Sequence, residues 1–257
     1  MIGSQARGRG PIDFGLDGPY PRDILVLMGV LFATFSLDAL AAHWTAPFRL
    51  GTEAWESFSV WRVVTYPFFA GYGSALGLII GLWMILVFGK QVFFYVGRRA
   101  FWRTFFIATT GAGLVALLVR FLMDLVGMAP AVAPGLGFSL MDGQYMVLTI
   151  LITGFAVLYG HLTIYLFFVL PVRASWFIGL EILFSFLGFL SSRDLAGFLG
   201  VCTAVILTYF LFSGVSPKRF LHEMRLRFQK RLIEARMRRM RKKGGGDGGV
   251  VQGPWVN

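Results

Sequence analysis

Asp38, Asp124 and Glu181 stand within or at the ends of apolar runs, where an ionisable side chain costs about 2.5 to 3.5 kcal/mol to insert and marks a functional position by default. Each also has a structural alternative. Asp124 follows Arg120 by four residues, one helical turn, so a local ion pair near the outer surface accounts for it. Asp38 lies near the end of its run and is expected to face the membrane interface. Glu181 lies deeper, and no partner for it is readable along the chain. The other reactive side chains are sparse. Cys202 is the sole cysteine, which leaves no intramolecular disulfide and no Cys-based zinc site. His43, His161 and His222 fall in separate segments without ligand spacing, so no metal and no cofactor is expected. Gly77 and Gly81 make a Gly-x-x-x-Gly pair, a small-residue face that lets a second helix approach closely.

The elements that position these residues are membrane helices. Of 257 residues, 56% are hydrophobic and 14% charged, against about 25% charged in soluble globular proteins. Six apolar runs, at 23–44, 74–94, 103–125, 143–159, 171–190 and 195–212, are bounded by Gly, Pro or charged residues and approach the roughly 20 residues that span a hydrocarbon core. This composition excludes an ordinary soluble enzyme. The first run is of spanning length and lacks a following cleavage-site pattern, so it is read as an uncleaved anchor. The expected organisation is a cytoplasmic stretch at 1–22, a six-helix membrane domain at 23–214, a basic amphipathic helix at 215–243 and a Gly-rich tail at 244–257.

Orientation follows from the basic residues, which concentrate in cytoplasmic segments. Of the 24 Lys and Arg, 20 fall in the N-terminal stretch, the second/third and fourth/fifth connections and the C-terminal tail, leaving Arg49, Arg62, Arg120 and Arg193 on the other side. Both termini are therefore expected in the cytoplasm. The first connection, 45–73, carries Trp55, Phe58, Trp61, Tyr66, Phe68, Phe69 and Tyr72 among charges, the makeup of a segment lying in the membrane interface. In the tail, Met224, Phe228, Leu232 and Ala235 recur at helical spacing between Arg and Lys clusters, which predicts contact with anionic lipid. Nucleic acid is not an expected partner, since no stacking motif accompanies the charge. No internal repeat, and so no inverted-repeat transporter pattern, is present.

The run Trp61-Arg62-Val63-Val64-Thr65-Tyr66-Pro67-Phe68 resembles the Trp-Arg motif in the long first loop of rhomboid proteins, including the derlin branch. Further segments follow in the family's order: Phe88-Gly89, Gly97-Arg98-Arg99 with Phe101, Phe155-Ala156-Val157-Leu158, Tyr165-Leu166-Phe167-Phe168 and Pro171-Val172-Arg173-Ala174-Ser175-Trp176. The resemblance covers 61–212 and implies an all-α bundle of six transmembrane helices, with the first loop embedded in the outer leaflet.

It also implies where catalysis would sit. Active rhomboids carry a Gly-x-Ser-Gly serine at the start of the fourth helix and a histidine on the sixth, the base that a weakly nucleophilic hydroxyl requires. Counting back without gaps from Phe155 places Gly143-Gln144-Tyr145-Met146 on that motif, so the serine position reads Tyr145. The histidine position, three residues before Gly197, reads Asp194, and the positions of two oxyanion donors on the second helix read Gly77 and Gly81. Ser139, in Gly137-Phe138-Ser139, offers a rival nucleophile. It lies six residues earlier, about 9 Å if helical, and would still lack the histidine; His43, at the outer end of the first run, is a more remote base.

The expectation is thus a catalytically inactive, rhomboid-like pseudoprotease that binds transmembrane segments of client proteins, with Trp61, Arg62, Tyr145, Asp194 and Gly197 lining the binding region. The alternative is an active serine-type intramembrane protease with a displaced nucleophile. A bacterial chain would sit in the inner membrane. Tyr145 is expected either to plug the former catalytic cavity, its hydroxyl donating to Asp194, or to join the outer aromatic belt while Asp194 is hydrated or pairs with Arg193.

Overall fold

The computed structural model describes residues 20–40, 45–50, 61–70, 74–127, 141–166 and 170–214. Within them the chain forms α1 (Arg22–Leu40), a 3-10 turn (Ala46–Phe48), a one-turn α2 (Arg62–Thr65) running into a second 3-10 turn (Tyr66–Phe68), α3 (Ala75–Val96) and α4 (Arg98–Leu125). α5 (Gly143–Leu158), β1 (Thr163–Leu166), β2 (Leu170–Arg173), α6 (Trp176–Ser192) and α7 (Leu195–Ser213) complete it. The compact unit that holds these elements ends at Ser213. The expected basic helix at 215–243, the tail, Ser139, His43 and His222 lie outside the described residues.

α1, α3, α4 and α7 are each long and apolar enough to cross a membrane, so this is a multi-pass membrane protein. α5 and α6 are apolar but have 16 and 17 residues, about 24 and 26 Å of helix, short of a core about 30 Å thick.

Two sequence expectations are corrected. The fold is mostly helical, not wholly so: 163–166 and 170–173 pair as an antiparallel hairpin, with Tyr165 opposite Pro171. The fifth helix consequently starts at Trp176, not Pro171. Proline cannot donate to a ladder and is tolerated in a two-stranded hairpin because each strand keeps a free edge, while the β-branched and aromatic content of the run favours extended backbone. The break between α3 and α4 falls at Gly97, whose φ of 84° and ψ of 160° form a conformation open essentially to glycine alone.

α5 is the shortest of the long helices and the most enclosed, with Gly143, Met146, Val147 and all of 149–156 buried. It packs against α3, α6 and α7, and a helix surrounded on all sides can be apolar all round. Close contacts set its neighbours: Gly200 of α7 lies against Met141, just before α5, and Gly154 lies against Phe212. α5 and α7 therefore run parallel, whereas the pairs Tyr145–Ser185 and Thr149–Glu181 make α6 antiparallel to α5.

The described part of the first connection is fastened to three helices. The Tyr66 hydroxyl donates to the Thr109 carbonyl of α4 at 2.8 Å, and burial pushes that phenol well above its ordinary pKa because the phenolate loses its hydration. The Thr34 hydroxyl of α1 donates to Phe68 O and accepts from Ala70 N. Asp38 is corrected as well: it is buried, not facing the interface. Its carboxylate meets Arg49 Nη2 at 2.9 Å and accepts from Thr45 Oγ1 at 2.5 Å, while Arg49 Nη2 also donates to the Ala70 carbonyl at 2.6 Å. At the other end of α1, Asp23 accepts from Arg98 Nε at 2.7 Å and from Trp102 Nε1 at 2.8 Å.

Candidate functional site

The N-terminus of α5 gathers most of the residues singled out from the sequence. Asp142 caps it through a carboxylate oxygen that accepts from Gln144 N at 3.3 Å, and the Gly143 N–H donates to the Phe69 carbonyl at 3.1 Å. Only glycine fits at 143. A Cβ there would meet the carbonyl oxygens of Phe69, Tyr66 and Pro67 at 2.5, 2.7 and 2.8 Å, so the first connection lies directly on the helix backbone.

Gly77 and Gly81 face this end from α3. Their small face admits a side chain: Gln144 Nε2 donates to Gly77 O at 3.1 Å, and its carboxamide occupies the space that a Cβ on Gly81 would need. Ser74 caps α3, accepting from Gly77 N at 3.0 Å. Gln144 was not readable as important from the sequence, since the signal lay in a glycine pair more than sixty residues away.

Tyr145 does not make the expected bond to Asp194. Its hydroxyl lies 2.9 Å from Ser185 Oγ and near the Glu181 carboxyl, so the phenol turns toward α6. Asp194 precedes α7, where Oδ1 accepts from Gly197 N at 2.8 Å. The reason is local: the first turn of α7 has unsatisfied N–H groups that a carboxylate three residues earlier satisfies, while Ser185 offers Tyr145 an oxygen at hydrogen-bond distance.

Glu181, for which the sequence offered no partner, accepts from Thr149 Oγ1 of α5 at 2.5 Å. Ser185, one turn on, donates to the Glu181 carbonyl at 2.8 Å. These two polar residues are the buried positions of α6, whereas Phe184, Leu187 and Leu190 are exposed. α6 is thus seated through polar contacts, which carry helix association where surrounding lipid is as apolar as the side chains.

The remaining candidates stand apart from this cluster. Trp61 is exposed at the start of α2, and Arg62 follows it with Nε enclosed. Arg120 and Asp124 form the expected i,i+4 pair at 3.4 Å. His161, the one histidine among the described residues, is exposed in the turn before β1. Chemically the cluster can hold a carboxyl among hydroxyls and keep α6 on α5; among the described residues it supplies no hydroxyl paired with an imidazole.

No family model, no curated protein and no solved structure matches this chain.

Proposed function

We propose that this chain is a rhomboid-like pseudoprotease of six transmembrane helices, both termini cytoplasmic, which binds transmembrane segments of client proteins without cleaving them. The observation that carries the reading is the meeting of Gly77 and Gly81 with the Gly143–Tyr145 start of a short, enclosed α5. That is the juxtaposition the family resemblance implies for oxyanion donors and nucleophile, with every catalytic side chain replaced. The Gly143 N–H and the glycine notch are taken up by Phe69 and Gln144 of the chain itself, which favours occupancy over hydrolysis. Clients are transmembrane proteins, the basic tail lies on anionic lipid, and a bacterial chain resides in the inner membrane.

The test joins labelling with a serine-reactive fluorophosphonate to photocrosslinking in native membranes from a probe at Trp61. Absence of labelling together with crosslinks to single-span proteins supports the proposal. Labelling and transmembrane-substrate cleavage that vanish in Ser139→Ala would overturn it in favour of an active protease.

A further inference from the structure

The polar cluster between α5 and α6 has a composition that client binding does not require. Tyr145, Thr149 and Thr153 recur every four residues along α5, so their oxygens share one helical face. Thr149 donates to the Glu181 carboxyl, and Tyr145, near that carboxyl, lies within hydrogen-bond distance of Ser185. Thr153, one turn further, is fully buried with a hydroxyl that has no hydrogen-bond partner among the described residues. From α7, Cys202 is near enough to Tyr145 to couple with it electrostatically. Among the described residues, the titratable groups around Glu181 are therefore a phenol from α5 and, coupled to that phenol, a thiol from α7. Among the described residues Glu181 makes no ion pair; the three present join Arg49 to Asp38, Arg98 to Asp23 and Arg120 to Asp124.

A carboxylate enclosed in an apolar helix, ringed by neutral oxygens and, among the described residues, in no ion pair, is incomplete in charge. One negative charge calls for one positive charge. Hard oxygen ligands select a proton or an alkali ion over softer metals, and a single carboxylate is too little for Ca2+ or Mg2+, which gather more oxygens and more charge. We propose that Glu181, Thr149, Tyr145 and Ser185 form a membrane-embedded binding site for a monovalent cation, taken up as a proton or as Na+. The 2.5 Å separation of Thr149 Oγ1 and Glu181 Oε1 is that of a direct hydrogen bond, so no ion stands between these two oxygens in this arrangement. Sodium would enter between the same oxygens.

Dicyclohexylcarbodiimide tests this on the full-length protein in liposomes, because it reacts with protonated carboxyls inside membranes. The acid adds across one C=N bond, its proton passing to nitrogen and its oxygen bonding to the central carbon. Acyl transfer from oxygen to nitrogen then leaves a stable N-acylurea, with nothing released and nothing oxidised. Peptide mass spectrometry should find the adduct on Glu181 and none in Glu181→Gln. Labelling that slows when Na+ replaces choline at fixed pH identifies Na+ as the ligand; labelling that slows only as pH rises identifies the proton. Thr149→Val, which preserves the shape of the side chain, should move the midpoint of whichever titration is seen by about tenfold in cation concentration. The proposal is overturned by the absence of an adduct on Glu181, by a rate insensitive to both Na+ and pH, or by an unshifted midpoint in Thr149→Val. None of these outcomes depends on whether clients bind.

Discussion

Removal of Asp38 takes the carboxylate away from a guanidinium that the fold has enclosed. Its side chain is 6% exposed and that of Arg49 12%, with 2.9 Å between Oδ2 and Nη2. In Asp38→Leu the guanidinium loses its carboxylate while its bond to the Ala70 carbonyl remains. Breaking a buried pair at one end costs about 3 to 5 kcal/mol, and the slight exposure of Arg49 puts this case near 3 kcal/mol. Arg49→Met leaves the carboxylate with the Thr45 hydroxyl as its partner among the described residues, at a similar cost of about 3 kcal/mol. The double variant removes both charges and leaves the Thr45 hydroxyl and the Ala70 carbonyl short of a partner, about 2 kcal/mol in all. The double-mutant cycle should therefore close with a coupling of about 4 kcal/mol. Equilibrium unfolding in mixed micelles, followed by helicity as denaturing detergent is titrated, measures all four corners. A coupling below about 1 kcal/mol, the worth of an exposed ion pair, would refute the view that this pair fastens the first connection to α1.

Gly81→Ala should destabilise by about 1 to 3 kcal/mol as its methyl meets the Gln144 carboxamide, and adding Gln144→Ala should recover most of the loss; thermal unfolding in detergent reads both. Gly143→Ala should cost more, about 3 kcal/mol, with no rescue from Gln144→Ala, because its neighbours are backbone carbonyls of Phe69, Tyr66 and Pro67 that cannot swing away. Arg193 follows α6 at a φ of 55° and ψ of 23°, the left-handed region that penalises a Cβ, so Arg193→Gly should raise stability by about 0.5 kcal/mol in the same assay. A synthetic peptide of residues 217–243 should become helical on anionic vesicles and less so as salt rises, each nearby Lys or Arg contributing about 1 kcal/mol; equal binding to neutral vesicles, seen by circular dichroism, would remove the lipid reading.

Sequence alone determined the apolar runs, because a chain with 14% charged residues satisfies its backbone within a bilayer only as helix or closed barrel. Four of the six runs became helices starting within one residue of where Gly, Pro and charge had bounded them, the helix of the third run started five residues early at Arg98, and the Arg120–Asp124 pair was legible because one turn is a local distance. The fifth run differed at its start, since the length of an apolar stretch does not distinguish helix from strand, and 163–173 paired with itself before α6 began. Tertiary structure decided every long-range partner. Asp38 met Arg49 only once the first connection folded back onto α1, and Glu181 met Thr149 only once α6 ran antiparallel to α5. Tyr145 turned to Ser185 rather than Asp194 for the same reason. An ungapped alignment fixes positions along a helix, but the choice of hydrogen-bond acceptor depends on the rotation and depth of its neighbours, which arise only when the helices pack.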